Sequence, residues 1–267
     1  MIIIIAVLVL SIAVPTTISI IIHHQQQAFA IQGNTRMQTT SNAACGQVVE
    51  GFVELNSDLN CSGDGLIVGA NGTTISLNHH TIRGPGPDSS KVGISINNQN
   101  GVKIGGPGTI EQFHTGIYAA GVEDITITSL SLTGNSIGAF STGTGDLKAI
   151  QNDFTKNSIG VESHSSNGLQ LTKNSATGNP MAAFTLSTTD DSLISKNDVG
   201  ESENGIFVDA QSNGNRIESN DIHENKVDLN NANGLSTDIN QNRYSDNNCE
   251  TSTPSGLCTT VTDALRP

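Results

Sequence analysis

Tryptophan is absent from the 267-residue chain, tyrosine occurs 2 times, aromatics amount to 3% and hydrophobic residues to 35%. So little bulky apolar mass excludes the thick core of an ordinary globule, while regularly placed Val, Ile and Leu exclude disorder. A thin, repetitive core of the solenoid kind fits both limits. Positive charge is scarce as well: 12 Lys and Arg stand against 25 Asp and Glu, a net charge of -13 with no basic block. Such a surface repels polyanions, so no nucleic-acid partner is expected. Cysteine is limited to Cys45, Cys61, Cys249 and Cys258, whose spacing fits no zinc motif and assigns no metal. Four cysteines permit three pairings, and in an exported chain a short loop at each end predicts two local disulfides, Cys45 with Cys61 and Cys249 with Cys258.

Residues 2–22 are almost wholly apolar, and Ala28-Phe29-Ala30 supplies the small-x-small pattern that a signal peptidase reads. Export is expected, with residues 1–30 as a signal peptide cut after Ala30. No Lys or Arg precedes the run and it is long enough to span a bilayer, so an uncleaved N-terminal anchor is the alternative. Either way the rest of the chain lies outside the cytoplasm, extracellular or at the cell surface, and touches a membrane only through that segment.

Gly is plentiful, at 28 residues, and Asn recurs in phase with it. Segments starting at Gly116, Gly138, Gly160, Ala182, Gly205 and Val227 follow one another by 22, 22, 22, 23 and 22 residues. Asn152, Asn174, Asn197, Asn220 and Asn242 keep the same step, and a second row runs Asn135, Asn157, Asn179, then Asn225 and Asn247. Such self-similarity is the mark of a repeat architecture. Coils stacked at about 4.8 Å bring identical side chains over one another, and stacked Asn amides hydrogen-bond along the column. Asn also tolerates the left-handed backbone of a corner. Between corners, runs such as Ile125-Thr126-Ile127 and Leu169-Gln170-Leu171 alternate inward and outward residues. The expected fold is all-β: a single-stranded right-handed parallel β-helix of roughly eight coils over residues 65–248. An N-terminal cap is expected at 31–64 and a C-terminal cap at 249–267, with the disulfides pinning both.

The run Gly65-Leu66-Ile67-Val68-Gly69-Ala70-Asn71-Gly72-Thr73-Thr74-Ile75-Ser76-Leu77-Asn78-His79-His80-Thr81-Ile82-Arg83-Gly84 resembles the first coils of secreted right-handed β-helix repeat proteins. The later Gly-Ile and Asn turns resemble the same pectin-lyase-like superfamily, including the NosD-type repeat domain, over residues 45–258. That resemblance implies a menu: polysaccharide lyases, hydrolases and epimerases, phage tailspikes, a periplasmic accessory protein for copper enzymes, and surface proteins without catalysis. Fold analogy does not choose among them.

Of the hydrolase motifs in that superfamily only Asp190-Asp191 and Arg216-Ile217-Glu218 are echoed, and the Gly-His-Gly motif is missing. A lyase or epimerase needs a cation to neutralise a uronate and a base to take its proton. Counting coils places Asp198, Asp221 and Arg243 in one column, with His223 beside them above Glu201, which makes these the weak catalytic candidates. The plainer reading is a solvated, salt-bridged face. Tyr118, Phe140, Glu162, Phe184 and Phe207 form a second column. If Ile117, Ala139, Val161 and Ile206 point inward, this column is an outward strip for stacking sugars; in the opposite register it is an internal aromatic ladder. Copper would need clustered Met and His, and His79, His80, His114, His164 and His223 are dispersed. Asp124, Asp146 and Asp190-Asp191 raise calcium, but Gly168 breaks their row, so no cofactor is assigned. The resulting expectation is an exported, noncatalytic β-helix binding an extracellular glycan or a surface protein along its flank. A carbohydrate-active enzyme is the first alternative, and a NosD-like periplasmic accessory for copper-enzyme maturation the second.

Overall fold

The computed structural model describes residues 39–259 except Ser41 and Thr237, so the apolar run and the cut at Ala30 lie outside the described residues. Those residues form an all-β parallel solenoid of about 9 turns with about 23 residues per turn and no helix. The expected count was roughly eight; the short strands Gln47–Val49, Phe52–Glu54 and Leu59–Asn60 already pair into the stack below residue 65.

Each turn visits three sheets in the same order. A long sheet of ten strands holds the widest ones, Val92–Asn97, Thr115–Ala120, Ile137–Thr142, Ile159–Asn167 and Ala182–Asp190. A second ten-stranded sheet is made of short strands, among them Thr126–Thr128, Lys148–Ile150 and Arg216–Glu218. The third is split into four strands, ending at Ser131–Thr133, and three strands, beginning at Ser175–Thr177; between them Asp153 makes only isolated bridges to Ser131 and Ser175.

Alternation places Val53, Ile75, Ile104, Ile127, Leu171 and Ile194 of the short-strand sheet in a common buried column, while their neighbours face solvent. Phe113, Phe154 and Phe184 are the largest fully buried side chains. Period-two patterning on a pleated strand thus fills a core only a few side chains wide.

Positive-φ residues mark the corners. Gln151, Lys173, Lys196, Ser219 and Asp246 have φ of 57, 58, 58, 58 and 56°, and each is followed by an inward Asn. At Asn152 the backbone N–H and Nδ2 both donate to Asn174 Oδ1, at 2.9 and 3.1 Å, and Nδ2 also donates to the Ile127 carbonyl at 3.0 Å. Asn174 repeats this toward Asn197, Asn197 toward Asn220, and Asn220 toward Asn247. Both lone pairs and both N–H groups of each interior carboxamide are thereby used.

The last rung corrects the sequence reading, which gave Asn242 that place. Asn242 instead accepts from Asn215 at a different corner, at 3.0 Å. The reason is length: the last coil spans 27 residues, not 22 or 23, the extra ones coming between Asn231, still paired in the long sheet, and Asn242. An earlier coil is lengthened to 28 residues by the 84–91 loop, whose Pro87 carbonyl accepts from Ser136 Oγ at 2.8 Å. The Gly row also shifts by one late in the chain. Gly138 faces the Gly160 carbonyl and Gly160 that of Ala183, where a Cβ would lie 2.5 Å away; Gly205 in turn faces Asp228. Ala183 and Asp228 therefore occupy the places expected for Ala182 and Val227.

Candidate functional site

The outer face of the long sheet carries the densest set of ring side chains. Tyr118 pairs in register with Phe140 and Phe140 with Glu162, all half-buried and pointing outward, because Ile117, Ala139 and Val161 point in. The Tyr118 and Phe140 rings stack with centroids 5.6 Å apart and planes 9° from parallel. His164, two residues beyond Glu162 and therefore on the same face, lies 5.4 Å from Phe140, and its Nε2 sits 2.7 Å from Glu162 Oε1. Glu162 is only 17% exposed in its side chain, so its carboxylate is a fixed feature of the strip. Next to Tyr118 opens a recess of about 310 Å³ lined by Asp64, Ser90, Ser95 and Asn97, where Lys91 Nζ approaches Asp64 to 3.8 Å.

Phe184 does not belong to this strip. It pairs with Val161 and Ile206 and is fully buried, while Thr185 occupies the outward position between Glu162 and Phe207. The extra residue at the Pro180-Met181 corner shifts the register by one, which turns a side chain through to the opposite face of a strand. Phe207 is outward but three coils from Phe140, roughly 14 Å at the spacing between strands. His164 was absent from the sequence-derived strip; the i, i+2 rule of a strand, applied from Glu162, would have found it.

The second candidate group lies on the split sheet. Asp198 pairs in register with Asp221, and His223 faces Gly200 rather than Glu201. His223 Nε2 is 2.9 Å from Asp198 Oδ1, and Asn248 Nδ2 donates to Asp221 Oδ1 at 2.7 Å. The hydrogen bond to Asp198 raises the His223 pKa, helped by the charges of Asp198, Asp221 and Glu224 and opposed by partial burial. Arg243 is not part of the group: it pairs with Arg216 on the short-strand sheet, because the 27-residue last coil puts Asn248 over Asp221 instead. The cluster therefore holds two carboxylates, His223 and Asn248, and no arginine.

Beside the break in the same sheet runs an open groove of about 610 Å³, lined by Thr109, Ser131, Gln151, Asp153, Lys173 and Ser175. In the column named for calcium, Asp124, Asp146, Gly168 and Asp191 sit at successive corners with φ of 54, 53, 64 and 49°. Lys148 Nζ lies 3.9 Å from Asp124. Among the described residues no group of three or more His, Cys, Asp or Glu side chains could hold a metal ion. His80, His164 and His223 each meet a single carboxylate, so these residues do not make a copper centre. Both disulfides, Cys45–Cys61 and Cys249–Cys258, are formed.

A sequence family described as periplasmic copper-binding protein (NosD) matches residues 58–257. No curated protein matches the chain. Among solved structures, bacteriophage CBA120 tailspike protein 2 is 12% identical, with 79% of this chain and 37% of that chain covered and a TM-score of 0.50. The A-module of the Azotobacter vinelandii mannuronan C-5 epimerase AlgE4 is 13% identical, covering 78% of this chain and 71% of that one, with a TM-score of 0.49. PfbA, a surface adhesin of Streptococcus pneumoniae, is 10% identical over 73% of this chain and 75% of that one, with a TM-score of 0.38. At these identities the likeness concerns the fold alone.

Proposed function

The chain belongs to the periplasmic copper-binding protein (NosD) family, and from that premise and the geometry of the long sheet we propose that it works outside the cytoplasm as a noncatalytic β-helix that holds a polysaccharide along its flank. It has the right-handed β-helix of the pectin-lyase-like superfamily. The observation that carries the reading is the outward Tyr118, Phe140 and His164 stack beside the recess at Asp64 and Ser95. Flat rings held at fixed spacing suit the faces of sugar rings, and hydroxyl and amide groups around them suit sugar hydroxyls. Successive coils rise by about 4.8 Å, close to the length of one sugar in an extended chain, so a polymer lying along the axis meets a new coil with each residue. The copper of the family's description finds no donor set among the described residues, and no step is routed through it.

Calorimetric titration with a panel of oligosaccharides tests the reading, together with reducing-end and unsaturated-uronate assays on the same samples. Binding without turnover is expected, with Tyr118→Ala and Phe140→Ala each weakening it about tenfold, as loss of a ring stacked on a sugar does. Turnover lost in Asp221→Ala while folding is kept would replace the reading with the enzyme. Absence of any glycan whose binding depends on Tyr118 would remove the glycan reading itself.

A further inference from the structure

The glycan reading leaves open which sugars the strip accepts, and the strip's own charges answer that. Glu162 stands at its centre, flanked by Phe140 in register on one coil and Thr185 on the next, with His164 as its bonded neighbour at 2.7 Å. Its side chain is 17% exposed, too confined to swing aside when a ligand arrives. At one end of the strip the recess beside Tyr118 is lined by another carboxylate, Asp64, with Lys91 3.8 Å away. Past the other end, Asp209 follows Phe207 and Val208 on the same strand line and spends its oxygens on the N–H groups of Thr188, Gln211 and Ser212. The whole chain is acidic as well, with a net charge of -13.

Resting on the glycan reading, we infer that the Tyr118, Phe140 and Glu162 strip selects polymers of amino sugars and rejects polyuronates. A uronate stacked on Phe140 brings its carboxylate against the half-buried Glu162, and like charges forced together there cost binding energy without return. A protonated amino sugar reverses both terms. Its ammonium meets the Glu162 carboxylate, and the faces of Tyr118 and Phe140 attract the cation through their ring quadrupoles. The field of an acidic protein also gathers a polycation and repels a polyanion, an effect that salt screens. Lys91 does not offset this, because it is matched to Asp64, and His164 engages Glu162 through Oε1, so the ammonium is met by Oε2.

The probes are hexamers of glucosamine, N-acetylglucosamine and mannuronate, titrated against the full chain at low salt and at about 0.5 M salt. The glucosamine hexamer is expected to bind best, the N-acetylated hexamer more weakly and without salt dependence, and the mannuronate hexamer not measurably. Glu162→Gln, nearly the same shape, should weaken the glucosamine hexamer about tenfold and leave the N-acetylated one within twofold. Asp246→Asn, an exposed acid on another corner, controls for general acidity and should change neither. Equal or tighter binding of mannuronate in a Tyr118-dependent way overturns the selectivity while leaving the glycan reading standing. Glucosamine binding that falls as much with Asp246→Asn as with Glu162→Gln also overturns it, since the attraction is then diffuse. No Tyr118-dependent binding of any of the three, or of the wider panel, overturns both.

Discussion

Removing the Asn174 side chain strips four hydrogen bonds from the interior at once. Its Oδ1 accepts the Asn152 backbone N–H and Nδ2, and its Nδ2 donates to the Ala149 carbonyl and to Asn197 Oδ1. Each partner is buried and has no water to turn to, at about 1–3 kcal/mol for a group left unsatisfied. Asn174→Ala should therefore lower stability by about 3 kcal/mol or more in chemical denaturation, and Asn174→Asp should do no better, because a carboxylate cannot donate. A loss below 1 kcal/mol would mean the column is filled by water and does not hold the corner. Residue identity was legible where the coil kept its ordinary length: Asn152, Asn174, Asn197 and Asn220 are successive rungs at the 22- or 23-residue step, whereas Asn242, also 22 residues on, is not the next rung of that column. Tyr244 was not legible in this way. It sits in the inward column over Ile217, burial pushes its hydroxyl above the ordinary tyrosine range, and that hydroxyl has no hydrogen-bond partner.

Between elements, legibility depended on the length of each coil. The strands Asp198–Gly200 and Asp221–His223 were placed in register because the coil joining them has the ordinary step, whereas Arg243 was placed against Asp221 across a coil that hides an extra loop. Phe184 failed for the same cause at smaller scale, a single added residue. A period read from sequence shows that coils stack; it does not reveal where a coil lets residues out, because loop and strand residues are counted alike. The His223 bridge across those two strands makes a prediction about pH. Its folded pKa is raised above the ordinary histidine value, so folding favours the protonated ring. The stabilisation is complete below about pH 6.5 and fades as pH rises through the folded value. The His223 side chain is 43% exposed, so the effect is small. Denaturation midpoints at about pH 5.5 and about pH 8.5 should differ more in the wild type than in His223→Asn. An unchanged difference in the variant would assign the pH dependence elsewhere.

For the molecule as a whole, the vulnerable places are the two ends of the stack, where Thr39–Thr40 and Ser252–Thr253 each pair with one strand among the described residues. Ser252–Thr253 forms the last strand of the long sheet, and the Cys249–Cys258 bridge closes a 9-residue separation around it. Replacing Cys249 and Cys258 by Ser should cost roughly 2–3 kcal/mol and raise light scattering at temperatures where the wild type stays dispersed. Hydrogen exchange should report the loss in the last coil and leave Ile127 and Leu171 in the middle protected. Uniform loss of protection along the chain would instead mean that the stack unfolds as one unit.

The extra residues before Val92 and before Asn242 are inserted at corners, with Val92 and Arg243 back in register on the coils they rejoin. Lengthening a coil at a corner therefore disturbs no rung above or below it. In such a rod ornament and scaffold are separable: an insertion at a corner changes what the surface presents and leaves the stack beneath it unaltered.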